Sequence, residues 1–305
     1  MLRFVFFLLC FNLYNPLSLA ESSQQGLLST NSVVSNSLTS SLDGEVRWRS
    51  EQIDQENQPL YNQNRLRVKL NYFREVNART TVKIGLASGT GSATSNFFNL
   101  DNAGADKNIY FDVIQATVKY SFGYFYLGKI TQPFYRPSGS DLVWDSDYTP
   151  EGLAVSYYRS GLFAHLGEFI LSNSSTSLDD VKTQRLQMGY NLNWGQDHKL
   201  TFGLGGFAHS PLKQILGSKS LGNSTQVVGS NTEYLYKFEI VHAFIVYHCV
   251  FGSVPLEIFY DRVQNNAAPK DNLGWSTGLV VSSLKHSWKV NYQYKYLEKD
   301  AINIK

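Results

Sequence analysis

An all-β, antiparallel fold is predicted for this 305-residue chain by three observations. About thirteen segments alternate apolar and polar side chains with a period of two, the signature of strands. No run is long and apolar enough to read convincingly as a spanning helix. The connections between the segments are alternately short and long. Arg65 to Tyr72 shows the alternation cleanly: Leu66, Val68, Leu70 and Tyr72 fall on one face, and Arg65, Arg67, Lys69 and Asn71 on the other. One face this apolar and another this charged suit a wall with lipid on one side and water on the other. The predicted architecture is therefore a transmembrane β-barrel of about 16 strands when complete.

The first twenty residues stand apart. Met1-Leu2-Arg3 is a short basic start, Phe4 to Leu13 is a compact apolar run, and Ser18-Leu19-Ala20 supplies small residues where a signal peptidase reads. Residues 1–20 are expected to be a cleaved signal peptide, with a retained membrane anchor as the competing reading. Residues 21–41, rich in Ser, Gln and Asn, are expected to be flexible. The barrel is expected over 42–305. Export permits disulfides, but Cys10 leaves with the leader, so Cys249 is expected to serve packing.

The strands follow in order. Leu42 to Ser50 sets Val46 and Trp48 against Arg47 and Arg49. After Asn64 to Phe73 comes Arg79 to Ala87, with Val82, Ile84 and Leu86 against Thr81, Lys83 and Gly85. Phe111 to Tyr120 sets Ile114, Ala116 and Val118 against Gln115, Thr117 and Lys119. Tyr124 to Ile130, Gly152 to Arg159 and Leu162 to Leu171 continue the series. Gln184 to Trp194 carries Leu186, Met188, Tyr190 and Leu192 outward, with Gln187, Gly189, Asn191 and Asn193 inward. Leu200 to Ala208, Tyr234 to Phe251, Pro255 to Val263, Gly274 to Leu284 and Ser287 to Leu297 complete it. Val241 to Phe259 competes as a membrane helix, but Gly252 and Pro255 mark a turn between two strands.

Glu75-Val76-Asn77, Ser121-Phe122-Gly123, Ser160-Gly161, Gly195-Gln196-Asp197, Gly252-Ser253-Val254 and Lys285-His286 are the short connections. The long ones are Gln52 to Tyr61, Ser88 to Tyr110, Thr131 to Glu151, Ser172 to Lys182, His209 to Glu233 and Gln264 to Asn272. Short turns on one side and long loops on the other is the plan of an outer-membrane barrel.

Composition agrees. The formal charge is +2, and +1 without Arg3, so no basic excess points to nucleic acid. The mean hydropathy of -0.24 suits a wall whose strands present half their residues to water. Tyr at 19 and Phe at 19, against Met at 2, favour strands and interfacial aromatics.

Two stretches carry a family resemblance. One runs from Gly128-Lys129-Ile130-Thr131-Gln132-Pro133-Phe134 through Leu142-Val143-Trp144-Asp145-Ser146-Asp147 to Pro150-Glu151-Gly152-Leu153. The other holds Gly252-Ser253-Val254-Pro255-Leu256, Ile258-Phe259-Tyr260-Asp261, Asn265, Trp288 to Tyr292, Tyr294, Tyr296-Leu297-Glu298, Asp300 and Ala301. Both resemble a porin family of Gram-negative bacterial outer membranes, over most of the chain from about Leu66. The resemblance implies a β-barrel fold and a passive diffusion pore. Members of that family run on past the Tyr296 to Ala301 segment to a last strand with a terminal aromatic. Completion of the barrel here is therefore expected to need about three more strands.

Gly274-Trp275-Ser276-Thr277-Gly278 matches the pattern of a nucleophile elbow, but that motif needs a helix next, and Leu279-Val280-Val281 continues a strand. The histidines show no close ligand spacing. No enzyme activity, metal or cofactor is expected. Arg47, Arg49, Arg65, Arg67 and Lys69 are expected to share the lumen face of two neighbouring strands. The Thr131 to Glu151 loop carries Asp141, Asp145, Asp147 and Glu151, which would oppose that basic wall if the loop folds inward. Charged rings of this kind set ion preference in pores. An alternative role for Asp145 is local, hydrogen-bonding nearby backbone.

The expected function is a water-filled channel for passive diffusion of small polar solutes and ions. The rivals are a non-conducting structural or adhesive barrel, an outer-membrane barrel hydrolase and a soluble secreted β-protein. The partners expected are outer-membrane lipid, small polar solutes and ions, and no nucleic acid; a homotrimer is compatible with this reading.

Overall fold

The computed structural model describes residues 39–53, 60–89, 96–100, 104, 106–143, 147–172, 181–209, 222–229, 231–283 and 288–302. The predicted leader and residues 21–38 lie outside the described residues. Ser40 and Ser41, expected in the flexible segment, already belong to the first strand.

The chain has the all-β, antiparallel barrel-type fold that its sequence predicts. Among the described residues there are β1 (Ser40–Ile53), β2 (Tyr61–Asn77), β3 (Thr80–Ser88), β4 (Phe98–Asn99), β5 (Ile109–Tyr120) and β6 (Gly123–Lys129). Then come β7 (Glu151–Arg159), β8 (Leu162–Ser172), β9 (Val181–Trp194), β10 (His198–His209), β11 (Thr225–Val228) and β12 (Asn231–Tyr234). β13 (Glu239–Phe251), β14 (Val254–Asn265), β15 (Leu273–Ser283) and β16 (Trp288–Leu297) complete the set. Val241 to Phe259, the competing membrane-helix stretch, forms β13 and β14 around a turn at Gly252 and Ser253. The chain divides into two compact units, with the cut inside β5 after Ala116.

In the first unit the strand order is β1, β2, β3, β5, with β4 paired to β2. β1 and β2 match residue for residue, from Ser40 opposite Arg74 to Ile53 opposite Tyr61. Val46 faces Val68, Leu70 faces Leu86 and Tyr72 faces Ile84, so the apolar positions of three strands share one face. The β2–β3 turn lies at Ala78 and Arg79, later than the expected Glu75 to Asn77. An irregularity in register between Glu75 and Asn77 carries β2 further, and Asn77 Oδ1 accepts a hydrogen bond from the Arg79 N–H. The Ser88 to Tyr110 connection, expected to be a plain loop, contributes β4.

In the second unit β6 to β10 follow one another as neighbours and continue directly to β13, β14, β15 and β16. β11 and β12 leave the sequence of neighbours as a separate hairpin inside the expected His209 to Glu233 loop. The strand expected from Tyr234 to Phe251 is consequently two pieces. Tyr234 ends β12, and Phe238 packs edge-on against it with ring centroids 5.3 Å apart, breaking the period-two run before β13. The tight β7–β8 turn at Ser160 and Gly161 holds both residues at positive φ, 49° and 85°. That is the twist a two-residue hairpin needs, and Gly161 adopts it without strain.

Burial is inverted relative to a water-soluble β-protein. On β9, Leu186, Met188, Tyr190 and Leu192 are exposed, while Thr183, Arg185 and Gln187 on the opposite face are buried. β14 repeats this with Ile258 and Tyr260 outward and Phe259, Asp261 and Val263 buried. The buried face of the second unit also holds apolar clusters. One joins Leu142, Val143, Phe207, Tyr234, Phe238, Ile240, Val263 and Ile302; another joins Ile130, Phe134, Ala154 and Phe169. Cys249 is buried and free, consistent with packing.

Candidate functional site

The basic residues of the first unit form a ladder. Register sets Arg47 opposite Arg67 and Arg49 opposite Arg65, with Glu45 opposite Lys69. Like charges directly across an antiparallel pair repel, and two carboxylates relieve them. Glu45 Oε1 lies 3.2 Å from Arg47 Nε and 2.5 Å from Arg67 Nη2. Glu51 accepts from Arg49 at 3.1 Å through one oxygen and from Arg65 at 3.3 Å through the other. Each carboxylate thus bridges one opposed pair of guanidiniums. Lys69 is paired separately with Asp112 of β5, at 3.0 Å.

A phenylalanine completes the ladder. Phe97 is buried, and the guanidinium carbons of Arg49, Arg65 and Arg67 lie 4.5, 5.1 and 5.1 Å from its ring centroid. Such contacts are cation–π attractions, each worth about 0.5–2 kcal/mol. The loop carrying Phe97 is anchored on both sides. Ser88 Oγ donates to the Asn96 carbonyl at 3.0 Å, Tyr110 donates to the Asn96 side chain, and the next residues form β4 on β2.

The acidic residues of the Thr131 to Glu151 connection belong to the second unit. Asp141 pairs with Lys295 at 2.9 Å and Glu151 with Lys129 at 3.6 Å. Asp147 is buried, and Asp145 lies outside the described residues. Asp141 and Glu151 are thus paired with lysines of two different strands, β16 and β6.

The first part of that connection does fold against the polar face of its own unit. Gln187 clamps it: the Tyr135 N–H donates to Gln187 Oε1 at 2.7 Å, and Gln187 Nε2 donates to the Tyr135 carbonyl at 2.9 Å. The Tyr135 ring stacks on Phe244 of β13, 5.1 Å away. Burial pushes the Tyr135 phenol up to about 12, helped by the negative charge of Glu257 and opposed by a hydrogen bond with Thr201. A second pin is Ser140, whose Oγ donates to Asp261 Oδ2 at 2.8 Å. Asp261 Oδ1 in turn lies 2.5 Å from His242 Nε2. Further along, burial raises the Tyr148 phenol, against the positive charge of Arg185. Arg185 sits among the rings of Phe169, Phe207 and Tyr148, at 5.3, 5.5 and 6.0 Å.

Two arrangements could suggest hydrolysis. Gly274 to Gly278 lies within β15, where Ser276 is buried and accepts from Gln293 at 2.7 Å; the strand-turn-helix geometry of an elbow is not formed there. Ser156 and His165 stand opposite on β7 and β8 with Oγ and Nδ1 2.8 Å apart. Both are buried, and the His165 ring lies among Phe134, Tyr158 and Phe163. This is a hydrogen bond sealed in the wall. Among the described residues no group of three or more His, Cys, Asp or Glu could hold a metal.

Sequence reasoning found the five basic residues but missed Glu45, Glu51, Phe97 and Gln187 as partners. Glu45 and Glu51 share the parity of Arg47 and Arg49 on β1, which was the signal available.

No protein-family model and no curated protein sequence matches the chain. Solved structures do align. In vitro folded OmpT in trimer form, an outer membrane protein of Vibrio cholerae, is 14% identical with TM-score 0.48, covering 84% of this chain and 76% of that one. Salmonella typhi OmpF in complex with daunomycin is 10% identical with TM-score 0.47, covering 87% of this chain and 93% of that one. A triple mutant of the Rh. blastica porin is 13% identical with TM-score 0.43, covering 86% of this chain and 96% of that one.

Proposed function

We propose that this chain is a porin of a bacterial outer membrane, a water-filled barrel for passive diffusion of small polar solutes and ions. The inverted alternation carries this reading. On β9, four large apolar side chains point outward over roughly 20 Å of strand at about 3.4 Å per residue, and Arg185 and Gln187 of the opposite face are buried. Water would penalise the outward face and lipid favours it. The polarity of the outward face changes where a bilayer boundary would lie. Beyond Leu186 and Leu166, toward the long loops, come Gln184, Lys182 and Glu168, with a Lys182–Glu168 pair at 3.9 Å. At the short-turn end Trp194, His198 and Tyr247 stack with centroids 5.9 to 6.1 Å apart, suiting an interfacial girdle. The family resemblance of the Gly128 to Leu153 stretch supports the same reading.

The reading includes no enzyme activity and no cofactor. The partners it implies are outer-membrane lipid and the permeating solutes and ions, with a homotrimer to be tested by crosslinking in the membrane. A non-conducting structural or adhesive barrel is the second reading, favoured by one observation: the apolar cluster around Phe207, Ile240 and Val263 fills part of the inner face. Planar-bilayer recordings of the refolded full-length protein separate the two. Stepwise ohmic conductance is the expected result, and silent insertion would overturn the pore.

A further inference from the structure

We propose that Tyr124, Tyr126 and Tyr158 form a subsite for a neutral sugar, on the inner wall at the short-turn end of the barrel. Its role in transport rests on the pore reading above, to which it adds a class of solute; the binding itself does not.

Placement comes first. Tyr124 and Tyr126 of β6 stand opposite Ser156 and Ala154 of β7, and Tyr158 of β7 stands opposite Phe163 of β8. Ala154, Ser156 and Phe163 are buried, so this parity is the inner one; Leu127 and Leu153, opposite each other on the alternate parity, are exposed. Tyrosines of an interfacial girdle face lipid, and these three face away from it. Tyr158 nevertheless keeps 44% of its surface, and Tyr124 and Tyr126 are half-buried. Wall packing therefore leaves part of each ring free. The turns at Ser121-Phe122 and Ser160-Gly161 are only a few residues away, so a solute meets these rings at the short-turn mouth.

Shape comes second. The Tyr124 and Tyr158 rings stand 6.3 Å apart at 74°, which makes a corner, while Tyr124 and Tyr126 lie 6.2 Å apart at 34°, which extends its floor. A flat solute can lie on one ring with its edge against the other. The corner is set before any ligand arrives. Tyr126 packs on the cluster of Ile130, Phe134, Ala154 and Phe169, and Tyr158 meets edge-on the His165 ring that Ser156 holds. A pre-organised site loses less freedom on binding. Chemistry is third. Each tyrosine offers an apolar face and a hydroxyl, and none carries a charge that would favour an ion. A pyranose has the matching parts, a face of C–H groups and a rim of hydroxyls. A purely aromatic solute would cover the rings and leave the phenol hydroxyls unmet.

The test uses the refolded full-length protein in micelles of a sugar-free detergent, with maltotriose as probe. Saturation-transfer NMR is expected to show saturable binding, with the strongest transfer to carbon-bound hydrogens of the sugar. Tyr124→Ala/Tyr158→Ala removes both sides of the corner and should weaken binding about tenfold. Tyr158→Ala alone, at an exposed position, serves if the double variant does not fold; it too should weaken binding. Tyr190→Ala, an exposed ring lost from the outward face, should leave binding unchanged, as should 1 M sodium chloride, since no charge is involved. Unsaturable binding, an equal loss in Tyr190→Ala, or a loss in high salt would overturn the proposal. Bilayer recordings keep the two readings apart. Conductance without maltotriose binding overturns the subsite alone, and maltotriose binding without conductance overturns the pore alone.

Discussion

The side-chain amide of Gln187 holds the backbone of Tyr135 by both its oxygen and its nitrogen, 52 residues away along the chain. One side chain thus does for the Thr131 to Glu151 connection what a strand neighbour does for a strand.

Gln187→Ala should release that clamp. Two half-buried backbone groups lose their partners, at up to about 1–3 kcal/mol each where water does not replace the bond. Urea unfolding in lipid vesicles should show the loss, and chymotrypsin should cut after Tyr135 more readily than in the parent. An unchanged midpoint and cleavage pattern would show that the stack on Phe244 suffices.

Arginine substitution should separate the two faces. Met188→Arg places a charge in the outward apolar row and should cost about 2–4 kcal/mol near the bilayer midplane. Asn193→Arg, on the opposite face of the same strand and exposed, should cost about 0–1 kcal/mol, as for a surface change. Equilibrium folding into vesicles measures both, and equal costs would contradict the assignment of faces.

His242→Ala leaves Asp261 buried without its imidazole partner, keeping the hydrogen bond from Ser140. Breaking a buried pair in this way costs about 3–5 kcal/mol. The joint variant His242→Leu/Asp261→Leu should recover part of that loss, because no unpaired charge then remains buried. A double variant as unstable as the single one would show that the Ser140 hydrogen bond dominates.

Ion preference should respond to the ladder. Arg65→Ser/Arg67→Ser removes two of its positive charges and should move the reversal potential across a salt gradient toward cation preference. Asp141→Asn should shift it less, since Asp141 is already matched by Lys295. Both effects should shrink at 1 M salt, where the Debye length is about 3 Å. A ladder variant with an unmoved reversal potential would show that these arginines are not on the ion path.

The outward rows were legible from the sequence because they rest on a local rule. Leu186, Met188, Tyr190 and Leu192 are two residues apart, and a strand sends them to one face wherever it sits. Arg47, Arg49, Arg65 and Arg67 were legible for the same reason. Gln187 was placed on the inward face, but its partner was not, since no periodicity links it to Tyr135. Phe97 lay hidden in a long connection, where strand rules do not apply. The break after Tyr234 was missed because aromatic residues on both sides imitate a continuous strand. The opposition of acidic loop and basic wall was inferred from charge alone. Asp141 pairs with Lys295 of β16 and Glu151 with Lys129 of β6, pairings that charge alone does not reveal.

The pairing of β1 with β2 has a consequence for assembly. Sliding β1 by a single residue would bring Trp48 opposite Arg67 and Val46 opposite Lys69, turning greasy side chains inward and guanidiniums into oil. The charged rungs therefore act as a ruler. They make misregistration at this edge so unfavourable that the first hairpin can proofread itself before its neighbours arrive.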